Sequence, residues 1–343
     1  MKLKLKLKAL LTASLLTAAM AASADTVTLK VHHFLPAGSY AQTMLIKPWC
    51  DRIALDSGDR LKCQIYPSMQ LGGTPPQLFD QVKDGIVDVI WTLPGYTAGR
   101  FPLVEVFELP FMMQNPESTS KALWDYVQQY DAAEFKDIHP LAFHVHGDGV
   151  FHMVKKPIKV MADLKDQKVR APTRQTNKML AALGATPVSM PVPAVSESLA
   201  KSVIDGALVP YEVVPAVKIQ ELVKFHSETD PAEPAIYTSV FLLAMNKARY
   251  ESLPADLKKV IDANSGKALS GMAGKAFLQA DEEGKKLTTK NTTNVIPKSE
   301  LDSWKKVGQA VTDAWVTEVT ANGANGKMLL DNARALIVKN SGK

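Results

Sequence analysis

Apolar residues recur along this chain at two alternating intervals, every second position and every third or fourth. Residues 26–33 alternate and predict a first strand, followed by a loop that begins at Phe34. Residues 40–55 keep helical spacing, 61–66 read as strand, 76–84 as helix, and 87–91 as a buried strand opening onto Leu93, Pro94 and Tyr96. A helix over 117–130 follows. The rhythm then returns: 167–171 reads as strand, 176–183 as helix stopping at Gly184, 188–191 as strand, 194–201 as helix and 203–206 as strand. Such a series predicts an α/β fold, with ligands bound beyond the carboxyl ends of parallel strands. Arg170 stands at one of those ends, and its planar fork matches a carboxylate. The plainer reading is a surface cation paired with a neighbouring acid.

Further on, 140–157 and 223–240 read as extended segments of the kind that cross between domains, and no Gly/Ser or Pro linker separates the halves. After Pro254 helical spacing runs to 289 without a proline, a length on the order of 50 Å that could lie along both domains. Gly266, Gly271, Gly274 and Gly284 mark places for it to kink or break. Residues 301–322 form an amphipathic helix. The expected division is 25–147 plus 236–270 for one lobe, 148–235 plus 271–330 for the other, and 331–343 as a C-terminal tail.

The first 24 residues read as a secretory signal peptide: Lys2, Lys4, Lys6 and Lys8, a short apolar run, and Ala22-Ser23-Ala24 as the cleavage site. An uncleaved anchor is the other reading. The mature chain would begin at Asp25 in the periplasm. Losing those four lysines lowers the formal net charge from +5 to +1. Nothing in that balance favours nucleic acid as a partner. Cys50 and Cys63 are the only cysteines. In an oxidising compartment they either pair across a helix–turn–strand unit or remain two buried thiols.

The wording around Arg170 resembles the DctP-type solute-binding receptors of tripartite ATP-independent periplasmic (TRAP) transporters. The resemblance is carried by Lys156-Pro157-Ile158, Asp163-Leu164-Lys165, Lys168-Val169-Arg170-Ala171-Pro172, Gly184-Ala185-Thr186-Pro187 and Asp205-Gly206. It continues in Tyr66-Pro67-Ser68-Met69-Gln70-Leu71-Gly72-Gly73, Asp84-Gly85-Ile86-Val87-Asp88, Glu108-Leu109-Pro110-Phe111 and Met245-Asn246-Lys247. It implies a two-lobed periplasmic-binding-protein clamshell (type II-like), with crossing strands and a long helix spanning both lobes. It also implies an organic-acid ligand held by Arg170 and delivery to TRAP membrane permease subunits. A monomer without a cofactor is expected.

Two departures from the family's wording shape the ligand expectation. Gly149 stands where many members carry a second arginine, and Leu208 and Val209 stand where a glutamate and an asparagine are common. One fixed cation with apolar surroundings suits a small monocarboxylate, aromatic or branched, including 2-oxo and 2-hydroxy acids. Phe34, Trp91, Tyr96 and Phe151 are expected to face the cleft with Leu208 and Val209, each with core packing as its alternative. Tyr211 either walls the pocket or packs in the core, and Glu212 is read as orienting a neighbour. His146 or His152 is expected to donate to the ligand carboxylate where the second arginine is missing; His144-x-His146 as a metal pair is the weaker reading. Arg100 is read either as a second cationic contact or, more plainly, as pairing with Glu105 or Glu108. No Gly-x-Ser-x-Gly, GxGxxG, GxxxxGKS or HExxH motif points to an enzyme. The alternatives are a receptor for an ATP-driven importer or a sensor, and an exported lyase or isomerase.

Overall fold

A computed structural model describes residues 26–342. The expected signal peptide and its cleavage after Ala24 lie outside the described residues. In chain order the strands are β1 (Val27–His33), β2 (Leu61–Tyr66), β3 (Val89–Thr92), β4 (Ile138–Val145), β5 (Val150–Met153), β6 (Lys168–Ala171), β7 (Thr186–Ser189), β8 (Gly206–Val209), β9 (Phe225–Thr229), β10 (Val240–Asn246) and β11 (Thr292–Ile296).

They form a five-stranded sheet ordered β2-β1-β3-β10-β4 and a six-stranded sheet ordered β11-β9-β5-β8-β6-β7. In the first, β1 runs parallel to β2 and β3, and Val31 sits in register with both Ile65 and Val89. In the second, β6 runs parallel to β7 and β8. The larger core cluster joins residues of both lobes, from Leu29, Val89 and Leu242 to Val192, Ala207 and Val209, and a smaller one around Phe151, Val169 and Leu208 lies in the second lobe. The chain crosses between sheets from β4 to β5 and back from β9 to β10. The extended segment expected at 140–157 is thus two strands, one in each lobe. The strand expected at 203–206 begins at Gly206 instead. Ser202 turns there with φ 55°, and the Asp205 carboxylate accepts the Lys168 N–H at 2.9 Å, tying the turn to β6.

The long helix expected after Pro254 is broken into Ala255–Ala263 and Gly266–Lys286. The second piece, about 30 Å long, still touches both lobes. A Cβ on Gly274 would lie 2.3 Å from the Pro116 carbonyl oxygen, and one on Gly284 would lie 2.2 Å from the Tyr211 carbonyl oxygen. Two glycines that weaken the helix locally therefore let it seat against one lobe near its middle and the other near its end. Residues 331–343, expected as a tail, belong mostly to the helix Gly326–Asn340. Its Leu329, Leu330, Ala333, Leu336 and Ile337 are buried on one face, packed against the helix Pro116–Tyr126.

The expected disulfide is present, with the Cα atoms of Cys50 and Cys63 5.7 Å apart. It fastens the helix Lys47–Asp56 to β2. No helix among the described residues is long and apolar enough to cross a membrane.

Candidate functional site

The carboxyl ends of β1 and β3 in one lobe face those of β6 and β8 in the other. Between them lies a small cavity lined by residues of both lobes. Its first wall is aromatic. The Trp91 ring stacks on Phe34 at 5.0 Å and on Phe241 at 4.8 Å between centroids, and Phe34 meets Tyr96 edge-on at 5.6 Å. The Trp91 indole N–H donates to His144 Nε2 at 2.9 Å, which fixes the ring's orientation.

Arg170 forms the opposite wall and is 2 % exposed. Its Nε donates to the Met190 carbonyl at 3.0 Å and its Nη1 to the Leu208 carbonyl at 3.2 Å. These two bonds hold the guanidinium in place. No carboxylate among the described residues forms an ion pair with it. The cation is thus buried and oriented, and its fork keeps donors free toward the cavity. Burying such a charge is costly unless an anion meets it.

Polar groups around this cation are mostly committed. Tyr96 Oη accepts the Val192 N–H at 3.1 Å across the cleft, and Tyr237 donates its hydroxyl to the Leu208 carbonyl at 3.2 Å. Burial raises both phenols above the ordinary tyrosine range, so both stay neutral. His146 Nδ1 lies 2.7 Å from the Gly147 carbonyl, and its Nε2 accepts the Ser239 N–H at 3.1 Å. Burial lowers its pKa to about 3. Glu212, 2 % exposed, borders the cavity with Oε2 unpartnered. Burial, then the neighbouring Asp281, pushes its carboxyl well above the usual range and favours the protonated form.

The lobes also hold each other directly. Arg174, at the start of the helix Arg174–Ala182 that follows Arg170, donates Nε and Nη2 to Glu105 at 3.0 and 2.5 Å. Gln175 reaches the same carboxylate at 2.5 Å, and Arg174 also pairs with Glu318. Glu105 belongs to the first lobe and is 4 % exposed.

Of the residues singled out from sequence, Arg170, Trp91, Tyr96, Phe34, His146 and Val209 all border the cavity. Four do not. Leu208 and Phe151 are fully buried in the second lobe's core, where Phe151 meets Trp304 edge-on. Alternation along β8 turns Leu208 away from the face that Val209 presents, although the Leu208 backbone carbonyl anchors Arg170. His152 is fully buried against His226, Nδ1 to Nδ1 at 2.6 Å, with Nε2 3.2 Å from the Val209 carbonyl. Tyr211 borders a separate cavity and donates to Glu228 at 2.7 Å. The carboxylate-donor role expected of a histidine also fails for His146, because both ring nitrogens already have partners. His144 serves Trp91. Arg100 pairs with Asp80 at 2.9 Å and lies over the Phe79 ring, while Glu105 goes to Arg174 and Glu108 accepts the Val240 N–H at 3.0 Å.

Sequence reasoning passed over Tyr237, Ser239 and Phe241, all of which border the cavity. Their alternation on an extended segment was the available signal. Gly149 explains part of this. A Cβ there would fall 1.9 Å from Tyr237 Cε1, so the tyrosine ring leaves no room for a side chain at position 149.

Residues 31–318 match the family described as bacterial extracellular solute-binding protein, family 7. Among solved structures, a TRAP solute-binding protein from Rhodoferax ferrireducens in complex with copurified benzoate is 53 % identical, with TM-score 0.92, over 92 % of this chain and 99 % of that one. A marine metagenome TRAP solute-binding protein specific for aromatic acid ligands, in complex with 3-hydroxybenzoate, is 44 % identical, with TM-score 0.90 and the same coverage. The Comamonas testosteroni protein called outer membrane transporter protein TsaT is 29 % identical over 96 % of this chain and 98 % of its own length.

Proposed function

Since this chain belongs to family 7 of the bacterial extracellular solute-binding proteins, the receptors of TRAP transporters, we propose that its ligand is a small aromatic monocarboxylate of the benzoate type. The observation that carries this reading is Arg170: a buried, doubly anchored guanidinium without an acidic partner among the described residues, facing stacked aromatic rings across the cavity. The carboxylate pairs with the free edge of the fork, and the ring lies against Trp91 and Phe34. The benzoate held by the Rhodoferax relative supports the same class. A C4-dicarboxylate suits the cavity poorly, since its second charge would meet apolar walls and the buried Glu212 carboxyl.

The protein performs no chemistry on this ligand. It closes its lobes around the acid, with Arg174 and Gln175 of one lobe gripping Glu105 of the other, and presents that closed form to the membrane subunits. Thermal-shift and calorimetric titration with benzoate, phenylacetate, succinate and malate test the reading. Saturable benzoate binding with a raised melting temperature is expected, since a ligand bound only by the folded state stabilises it. A response to the dicarboxylates alone, or turnover of any acid, contradicts it.

A further inference from the structure

Among the described residues two buried polar atoms of cavity-lining side chains lack a protein partner: Ser239 Oγ and Glu212 Oε2. The residues are 1 % and 2 % exposed. Buried polar groups in folded proteins are almost always satisfied, and each exception needs an account. Ser239 belongs to the cationic end, because its N–H bonds to His146, a ring whose pKa is lowered by burial first and then by the nearby Arg170 charge. Glu212 is held differently. It follows Pro210 at the end of β8, and its backbone N–H donates to Asp281 at 2.8 Å. Its Oε2 has no hydrogen-bond partner, and the neighbouring Asp281 carboxyl disfavours a negative charge on it.

We propose that Glu212 is a specificity-determining residue that takes the hydroxyl of a hydroxylated aromatic acid whose carboxylate sits on Arg170. This rests on the aromatic-acid reading above and narrows it. A neutral carboxylic acid suits the task, since it both donates and accepts, whereas an ionised one would repel the ligand's carboxylate. An unsubstituted ring leaves the Glu212 carboxyl unpaired in the closed protein. Sites with a polar group to satisfy disfavour ligands that lack the matching one.

The test is calorimetric titration of the full mature chain with benzoate, the 2-, 3- and 4-hydroxybenzoates and the corresponding fluorobenzoates. One hydroxy isomer is expected to bind about tenfold more tightly than benzoate and than its fluoro counterpart. That ratio should fall to about one in Glu212→Met, which keeps the length of the side chain, and stay within about threefold of wild type in Glu212→Gln, which keeps a donor and an acceptor. An undiminished ratio in Glu212→Met overturns the proposal. So does the absence of any hydroxyl preference in the wild type, a result that stands even where the Met variant does not fold. Failure of wild-type protein to bind benzoate or any of these acids overturns the aromatic-acid reading itself, and is thereby told apart from a missing hydroxyl preference.

Discussion

The ring of Tyr237 occupies the volume that any side chain at Gly149 would need, with Cε1 1.9 Å from where a Cβ at Gly149 would stand. These two positions are 88 residues apart in sequence, and the fold brings them into one volume beside the cavity. Gly149→Ala is therefore expected to destabilise the protein by about 1–3 kcal/mol through overpacking. In a Tyr237→Ala background the same change should cost little, because the clash disappears with the ring. Denaturant melts of the two single variants and the double variant measure this coupling. Simple additivity would show that the positions do not compete for space.

Arg174 and Glu105 tie the lobes together beside the cavity. Arg174→Met is expected to weaken benzoate binding roughly tenfold, mainly through faster release, because the pair stabilises the closed arrangement in which the ligand is enclosed. Stopped-flow dissociation checks this. An unchanged release rate would mean that the pair plays no part in closure.

Glu108 introduces a pH dependence. Burial pushes its carboxyl up to about 8, with Glu105 adding to the rise while the Val240 N–H opposes it. The folded-state value lies above the unfolded one, so its contribution is fully present below about pH 4.3 and is lost as pH rises through about 8. Relative to Glu108→Gln, the wild type should lose stability over that window with a slope of up to about 1.4 kcal/mol per pH unit. Urea melts of both proteins between pH 5 and 9 measure the difference. Parallel curves would mean that Glu108 is ionised throughout.

The Cys50–Cys63 bridge closes a short loop, the cysteines lying 13 residues apart in the chain. Replacing both with alanine should cost about 3 kcal/mol, while benzoate affinity changes less than about twofold, since neither residue borders the cavity. Denaturation with parallel titration checks both halves of that expectation.

Much of this was legible in the chain. Alternating periods announced the α/β layers, and the strand-end position of Arg170 located the charged wall of the cleft. Phe34, Trp91 and Tyr96 were found the same way, because residues at the ends of parallel strands face the crevice. Strand phase was harder to read. One residue separates Val209, which lines the cavity, from Leu208, which is core, and an expected strand displaced by three positions could not tell them apart. The histidines misled for another reason. His144, His146 and His152 have the chemistry of ligand donors, yet burial and local partners consume it. Tyr237 and Ser239 come from a distant crossing segment, and only the folded chain brings them to Gly149 and Arg170. The last helix was missed although Leu329, Ala333, Leu336 and Ile337 carried its spacing.

A crystal structure of the protein with benzoate bound tests the central claim most directly. The account predicts both carboxylate oxygens on the Arg170 guanidinium at about 2.7–2.9 Å, with the ring against Trp91. Benzoate seated elsewhere, or turned so that its carboxylate points away from Arg170, would contradict it.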